Sequence, residues 1–282
     1  MKFGVLGGGF GIYGYIPAIF NNGWDVLTLE KYRDNISERK ELLKYQSAIE
    51  YAADDSSLIK RCNSLVVARD PNSQVRTIKS LGNFKGWIFL EKPLAPKVSQ
   101  HEEMLNFLET RDFSIAYLFP FTKWYELLVE KVLKKEISKI LITWEVLPKE
   151  SNWKWEISKG GGLCDFYGVH FVKLIDHLNI SMNSLTCEAS KGKIEICGRN
   201  GEGLELIIRI SSGRTNKFAV LTAKLKETMI ALYMEPSPFG DIGTRGVEDP
   251  RVPILAKYLA AKPSSSVDLE RKVIMFRRIC EK

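Results

Sequence analysis

The fold of this chain is decided by its first residues, 1–14, which read MKFGVLGGGFGIYG. A short apolar strand, Lys2–Leu6, leads directly into glycines and then into a helical pattern over Ile12–Asn21. Glycines at such a turn let the backbone leave the strand tightly and approach a pyrophosphate, which lies against unpaired N–H groups at the helix start. The pattern predicts a dinucleotide cofactor bound at Gly7, Gly9, Phe10 and Gly11.

The spacing of these glycines is imperfect. In the G-x-G-x-x-G pattern counted from Gly7, Ile12 stands where the third glycine is expected, whereas counting from Gly9 restores the pattern through Gly11 and Gly14. A plain glycine turn is the alternative interpretation, and the position directly after the first strand favours the cofactor.

The residues that follow the second strand bear on the choice of cofactor. Glu30 closes the apolar run Trp24–Leu29. An acidic residue there hydrogen-bonds the adenosine ribose and repels a 2′-phosphate, which slightly favours NAD. Lys31 and Arg33 follow at once and are able to meet such a phosphate instead, so NADP stays open.

Strand and helix patterns alternate through residues 1–119, which predicts an α/β Rossmann domain with a parallel sheet. After Pro120 the pattern changes: a helix is expected over 163–178, and several strands follow one another with short loops. Residues 120–282 are therefore predicted to form a C-terminal α+β domain with an open, mostly antiparallel sheet.

Two further loops follow strands of the predicted parallel sheet. Arg69 and Pro71 come after one strand, at the edge where a cofactor binds, although a plain turn explains them equally well. Glu91, Lys92 and Pro93 come after the next strand. Glu91 and Lys92 are expected to contact the cofactor, and Lys92 to exchange a proton with the oxygen of the reacting carbon, with a solvated surface lysine as the alternative. Pro93 fixes the turn with an expected cis bond before it.

A second constellation, Gly160–Gly162 followed by Tyr167, Gly168 and His170, lies in the C-terminal half. Together with the glycine turn and the Glu-Lys-Pro motif, in this order, the sequence resembles the Gfo/Idh/MocA family (glucose-fructose oxidoreductase, inositol dehydrogenase and rhizopine catabolism proteins). The resemblance implies both predicted domains and NAD(P)-dependent oxidation or reduction of a sugar, cyclitol or related carbinol. It also implies catalytic roles for Lys92 and His170, and a dimer or tetramer formed through the second sheet. For His170, a hydrogen-bonded histidine of the core is the alternative.

The chain departs from this family at one position. The family has Asp-x-Gly-x-His, and counting back from His170 places Phe166 where the aspartate is expected. Asp165 is one position early and, on a helix, would face another direction and cap the helix start instead. Tyr167 and Tyr117 are candidates to supply a hydroxyl, with buried packing as the alternative for each.

Composition excludes several classes of protein. With 45% hydrophobic and 27% charged residues, no long apolar run and no signal peptide, the chain is expected to be cytoplasmic and not bound to a membrane. Its net charge of +7 is consistent with an anionic substrate. Nucleic acid is not the expected partner, because the sequence contains no nucleic-acid-binding motif. The five cysteines are scattered and the three histidines lack a partner carboxylate at ligand spacing, so no metal is expected.

Several aromatic and basic residues have more than one possible role. The tryptophans at 144, 153 and 155 stack on a sugar or base, or pack in the core. A substrate phosphate or carboxylate has four candidate partners, Lys123, Lys149, Lys154 and Arg245.

Two functions remain. The first is hydride transfer between a nicotinamide cofactor and a sugar or nucleotide sugar. The second is a regulatory or sensor protein that binds the cofactor without turnover, which the missing aspartate suggests.

Overall fold

The computed structural model describes residues 1–147, 152–213, 217–225, 228–233, 237–240, 246–263 and 266–281. The chain divides into two compact units, and each contains one six-stranded sheet. The first unit consists of Met1–Ala116 and Ile242–Ser265, and the second of Tyr117–Asp241 and Ser266–Lys282.

The first unit contains an all-parallel sheet in the order β3-β2-β1-β4-β5-β6. Its strands are β1 (Lys2–Leu6), β2 (Asp25–Leu29), β3 (Ile49–Ala52), β4 (Ser64–Val67), β5 (Trp87–Leu90) and β6 (Phe113–Ile115). The central strands are buried along nearly their whole length, as is usual for parallel strands covered on both faces. The predicted Rossmann domain is confirmed.

Five helices of this unit connect the strands. They are α1 (Ile16–Asn21), α2 (Arg33–Ser37), α3 (Asp55–Arg61), α4 (Pro71–Lys79) and α5 (Val98–Leu108). A π-helical turn, Gly11–Tyr15, precedes α1, and 3-10 turns cover Glu30–Tyr32 and Lys40–Ala48. Asp70 caps α4 by accepting a hydrogen bond from the Ser73 amide at 3.0 Å, and Pro71 takes the first helical position.

The second unit contains a mixed sheet in the order β12-β11-β7-β10-β9-β8. Its strands are β7 (Ile137–Val146), β8 (Thr186–Ser190), β9 (Lys193–Arg199), β10 (Glu205–Ser212), β11 (Phe218–Leu225) and β12 (Met229–Tyr233). Only the pair of β7 and β10 is parallel among these described strands, so the prediction of an open, mostly antiparallel sheet is confirmed. Its first two α-helices are α6 (Lys123–Leu133) and α7 (Val172–His177).

The single helix expected over 163–178 is wrong. The segment is a π-helical turn (Leu163–Tyr167), a 3-10 turn (Gly168–Phe171) and then α7. Helical spacing in the sequence does not distinguish these three windings, because each of them buries residues three to five positions apart.

The chain ends with two helices in different units, α8 (Val252–Ala261) in the first and α9 (Val267–Cys280) in the second. The sequence pattern predicts that every residue after 119 belongs to the C-terminal domain. Helix α8 instead packs on the first unit, where the Tyr258 ring lies 5.5 Å from that of Phe89 and Asn22 Nδ2 donates to the Ala256 carbonyl at 3.0 Å. No local sequence signal indicates this packing, because its partners Phe89 and Asn22 are distant in the chain.

Among the described residues, no helix combines the length and the apolar character that crossing a membrane requires.

Candidate active site

The glycine turn leaves the carboxyl end of β1 beside the end of β4. Gly7 has a φ of +152°, and a Cβ placed on it would stand 2.2 Å from the Ala68 carbonyl oxygen. Only glycine fits there. A Cβ placed on Gly9 would meet nothing within 4 Å, so its backbone faces open space where a ligand is able to approach. The turn therefore contains one glycine that the fold requires and one that leaves room for a ligand.

Phe10 lies against the helix that follows the turn. A Cβ on Gly14 would stand 2.3 Å from the Phe10 ring, and the ring makes an edge contact with Tyr15 at 5.4 Å. Ile12, at the expected glycine position, is fully buried in the core. The glycine spacing counted from Gly9 thus has a packing reason, because Gly14 makes room for Phe10.

Arg251 is a neighbour of the glycine turn that sequence reasoning missed. Its guanidinium carbon lies 3.9 Å from the centre of the Phe10 ring, and Asp249 accepts two hydrogen bonds from it at 2.8 Å each. No local motif marks this contact, since it depends on the return of residues 242–265 to the first unit.

The two candidates for the adenosine end are bonded to each other. Arg33 donates to both oxygens of Glu30, at 2.5 and 3.0 Å, and its guanidinium lies 3.8 Å from the centre of the Tyr51 ring. The bond from Arg33 lowers the pKa of Glu30. Lys31 lies over the Tyr32 ring at 5.4 Å. A ribose hydroxyl or a 2′-phosphate at this edge would therefore meet a carboxylate and a guanidinium together.

The side chain of Arg69 is bonded to other residues of the first unit. Its guanidinium donates to both oxygens of Asp55, at 2.5 and 2.7 Å, and to Thr77 Oγ1 at 2.9 Å. Pro71 begins α4. The side chain of Arg69 thus fixes the loop after β4, and a contact between this loop and a cofactor stays a prediction.

The Glu-Lys-Pro turn lies at the end of β5, with the expected cis bond between Lys92 and Pro93. The Lys92 residue is only 6% exposed. Tyr15 donates its hydroxyl to Glu91 Oε1 at 2.7 Å, and burial together with Glu91 raises the pKa of Tyr15, so the hydroxyl stays protonated. The buried side chain of Gln74 also hydrogen-bonds the backbone of this turn at Glu91. Sequence reasoning missed both Tyr15 and Gln74.

In the second unit, His170 is surrounded by aromatic rings. The residue is 5% exposed, and its imidazole stacks on Phe119 with ring centres 4.8 Å apart. Phe239 and Trp144 lie at 5.6 and 6.4 Å. These contacts fix the plane of the imidazole, which is what a residue that orients a substrate requires.

Tyr167 shares Trp144 with His170 as a neighbour. Its ring meets Trp144 edge to face at 5.1 Å and lies 5.6 Å from Trp155. Burial raises the pKa of Tyr167 to about 12. Its hydroxyl is therefore protonated near neutral pH and is able to donate a hydrogen bond.

Asp165 does not cap the helix start, so that expectation is wrong. Gly162 occupies the cap position, and Asp165 accepts hydrogen bonds from Arg277 Nε and Nη2 at 2.9 and 2.8 Å. Arg277 is fully buried, and a buried guanidinium requires a paired carboxylate. Nothing in the local sequence indicated this bond to α9.

Phe166, at the family's aspartate position, contributes to an aromatic and basic cluster instead. Its ring meets Trp153 edge to face at 5.5 Å, and Lys154 Nζ lies 4.9 Å from its centre. Tyr117 donates to the buried Glu270 at 3.1 Å and is therefore held by α9. Among the other candidates, Lys149 and Arg245 lie outside the described residues.

Two features concern metal and thiol chemistry. No group of three described His, Cys, Asp or Glu side chains is arranged to hold a metal ion. Cys164 and Cys187 both lie beside Cys280, and Cys280 together with burial raises the pKa of Cys187. Three of the scattered cysteines are thus neighbours in space, and Cys187 is held in its thiol form.

No protein-family model and no curated protein matches this sequence. Solved structures do match it. A myo-inositol dehydrogenase from Corynebacterium glutamicum has a TM-score of 0.75 and 13% identity, covering 100% of this chain and 95% of its own. The WlbA dehydrogenase from Chromobacterium violaceum, in complex with NADH and UDP-GlcNAcA, has a TM-score of 0.74 and 10% identity, covering 100% and 94%.

A levoglucosan dehydrogenase in complex with NADH and L-sorbose has a TM-score of 0.73 and 14% identity, covering 100% of this chain and 96% of its own. Inositol, sugar and nucleotide-sugar dehydrogenases thus share this architecture across nearly their whole length. The chain has the fold of the Gfo/Idh/MocA oxidoreductases, which confirms the resemblance at the level of the fold.

Proposed function

We propose that this chain is an NAD(P)-dependent oxidoreductase that transfers a hydride to or from a carbinol or ketone of a sugar or nucleotide sugar. The observation that carries the proposal is one edge of the parallel sheet. There the open backbone of Gly9, the carboxylate of Glu30 and the buried Lys92 follow the carboxyl ends of β1, β2 and β5. Ligands of open α/β sheets bind at that edge.

The residues at this edge fit a dinucleotide. Gly9 leaves room for a pyrophosphate beside the start of the helical turn Gly11–Tyr15, where the Ile12 amide donates to the Gly9 carbonyl at 2.9 Å. Glu30 would accept hydrogen bonds from ribose hydroxyls, which slightly favours NAD over NADP. The cofactor would supply or accept the hydride. The neighbours solved with NADH support a nicotinamide cofactor of this kind.

Proton transfer would fall to Lys92, with His170 orienting the substrate or acting as a second acid or base. A lysine held at a strand end is able to donate to the oxygen of the reacting carbon as the hydride leaves or arrives. Tyr167 would donate a hydrogen bond from its protonated hydroxyl. Because Asp165 is bound to Arg277 and Phe166 carries no charge, no carboxylate from this turn takes part.

One observation favours a second function, a regulatory or sensor protein that binds the cofactor without turnover. Phe166 fills the position where the family has an aspartate, and its ring packs against Trp153. Loss of that acid or base would leave cofactor binding intact while slowing catalysis.

The two functions are separated by fluorescence titration with NADH and NADPH, followed by turnover on a panel of sugars and nucleotide sugars. An oxidoreductase would turn over at least one substrate, and Lys92→Met would reduce kcat about 10²–10⁴-fold. Lys97→Met is the matched control, because Lys97 is exposed and lies four residues after Pro93, and it should keep wild-type kcat. Dinucleotide binding without turnover of any substrate supports the sensor, and no binding excludes both.

We further propose a cytoplasmic homodimer or homotetramer formed through the open sheet of the second unit. Burial alternates along β7, and its second face carries the half-buried Leu141 and Thr143. A face of this kind is commonly covered by another subunit. Gel filtration at micromolar concentration should show an oligomer, and a monomer would contradict this proposal.

A further inference from the structure

A single buried amide ties together the backbone around Lys92. Gln74 lies on α4 and is fully buried. Its Nε2 atom lies 2.7 Å from the Glu91 carbonyl oxygen and 3.2 Å from those of Pro93 and Leu94. Its Oε1 atom accepts a hydrogen bond from the Glu91 amide at 3.0 Å. The residues on both sides of Lys92 are therefore bonded to the same side chain.

A second bond fixes the same turn from the glycine-rich side. Tyr15, fully buried in the turn Gly11–Tyr15, donates its hydroxyl to Glu91 Oε1 at 2.7 Å. The Tyr15 ring also contacts Phe10, one of the expected cofactor-binding residues. The glycine-rich turn and the Glu-Lys-Pro turn, which would both contact the cofactor, are thus joined through Glu91.

The side-chain hydrogen bonds of Gln74 all serve one turn. A buried amide is costly unless its hydrogen bonds are satisfied, and an apolar side chain of similar size would leave the backbone groups of residues 91–94 without these partners. All four contacts of Gln74 fall on residues 91–94 and none on another strand or helix of the sheet. The bonds are directed to the turn that carries Lys92.

We propose that Gln74 is a positioning residue that, with Tyr15, holds Lys92 at the reacting oxygen. This inference rests on the proposed oxidoreductase function. Misplacement of a reacting group by about 1 Å reduces turnover by about 10²-fold, so loss of the amide should reduce kcat more than it weakens dinucleotide binding.

The test compares Gln74→Met, Gln74→Glu and Tyr15→Phe with the wild-type protein. Gln74→Met keeps the size of the side chain and removes all four bonds, whereas Gln74→Glu keeps the acceptor and removes the donor. Gln46→Met is the matched control, since Gln46 donates to a single carbonyl, that of Ile36, elsewhere in the same unit. Three quantities are measured: hydrogen exchange of the peptide containing Glu91, reductive methylation of Lys92 by mass spectrometry, and kcat with KM for the dinucleotide.

Gln74→Met should speed exchange of the Glu91 amide, whereas Gln74→Glu, which keeps the acceptor, should leave that exchange nearly unchanged. In both variants Lys92 should be methylated several-fold faster and kcat should fall about 10–100-fold, with KM changed much less. Tyr15→Phe should change the methylation rate and kcat in the same direction by a smaller factor. Gln46→Met should leave all three unchanged.

Two results would overturn the inference. The first is unchanged methylation of Lys92 in Gln74→Glu and Tyr15→Phe, which are the variants closest in shape to the native residues. The second is altered methylation with an unchanged kcat, which would make the bonds structural only. If the wild-type protein binds no dinucleotide, the proposed function fails by itself, because the methylation and exchange results still show whether Gln74 positions Lys92.

Discussion

The glycine turn of the first unit and the His170 turn of the second unit are positioned by different forces. The first is fixed by backbone geometry and by hydrogen bonds at strand ends, such as that from Tyr15 to Glu91. The second is an irregular helical segment surrounded by aromatic rings and tied to α9 by the pair of Asp165 and Arg277. Each of the two turns therefore has a different weakness.

The contrast explains why the first turn keeps the glycine that its fold requires, whereas the second turn departs from the family motif at position 166. Gly7 cannot be replaced without moving the Ala68 carbonyl, so the motif and the fold require the same residue. Around His170, the imidazole is held by ring contacts with Phe119 and Phe239, and such contacts tolerate many sequences. An aspartate at position 166 is not needed for this packing, and a phenylalanine there extends it.

The largest effect is expected when the second unit loses its buried ion pair. Arg277→Met leaves Asp165 without its partner, and breaking a buried pair costs about 3–5 kcal/mol. Urea unfolding followed by tryptophan fluorescence would measure this loss. Arg271→Met is the control on the same helix, because Arg271 is 68% exposed and its distance to Asp268 is 3.7 Å, so the expected change is at most about 1 kcal/mol.

Equal losses in the two arginine variants would contradict the view that one long-range pair holds the His170 turn. The double variant Asp165→Leu with Arg277→Met should recover part of the loss, since it removes both buried charges.

The next effect concerns the glycine turn and separates folding from binding. Gly7→Ala forces its methyl against the Ala68 carbonyl and should cost about 1–3 kcal/mol of unfolding free energy along with dinucleotide binding. Gly9→Ala meets no atom within 4 Å, so stability should stay within about 0.5 kcal/mol. Its methyl would still obstruct the approach of a pyrophosphate, and NADH affinity should fall about tenfold or more.

Thermal unfolding and fluorescence titration of the two glycine variants test this difference. If Gly9→Ala binds NADH as tightly as the wild-type protein, the cofactor does not approach the backbone at that residue.

A smaller effect is expected at the adenosine end, where Glu30 and Arg33 are bonded to each other. Glu30→Gln weakens the hydrogen bonds to a ribose and should raise the Kd for NADH about tenfold while changing the Kd for NADPH less. Arg33→Met should weaken NADPH binding in preference to NADH. The ratio of the two dissociation constants in each variant is the quantity to measure, and identical ratios would show that neither side chain selects the cofactor.

The smallest effect is a pH dependence in the second unit. Burial, with Lys173 nearby, lowers the pKa of His177, whose Nδ1 lies 2.8 Å from the Tyr125 hydroxyl. The unfolded chain then binds a proton more readily than the folded one, so stability falls as pH drops below the ordinary histidine pKa. Between pH 7.5 and 5.5 the melting temperature should decrease by about 2 °C or less, and His177→Gln should remove that decrease.

Much of the first unit was predictable because its signals are local. The strand-glycine-helix order of residues 1–14 determined the parallel sheet and the turn, and Glu91, Lys92 and Pro93 followed directly after an apolar strand. In the second unit, the strands were predictable from their spacing, whereas the winding of 163–178 was not.

The sequence alone determined the two sheets, the glycine turn and the position of Lys92 at a strand end, since each depends on neighbouring residues and on the local conformations they permit. Only the tertiary structure decided that Gln74 binds the turn around Lys92, that Asp165 pairs with Arg277, and that Arg251 returns to the Phe10 ring. These partners are far apart in the chain, and hydrogen bonds and ring contacts between distant residues leave no periodic signal in a single sequence. The glycine turn is therefore recognisable from the sequence alone, while the contacts that Gln74, Asp165 and Arg251 make depend on the packing of the folded chain.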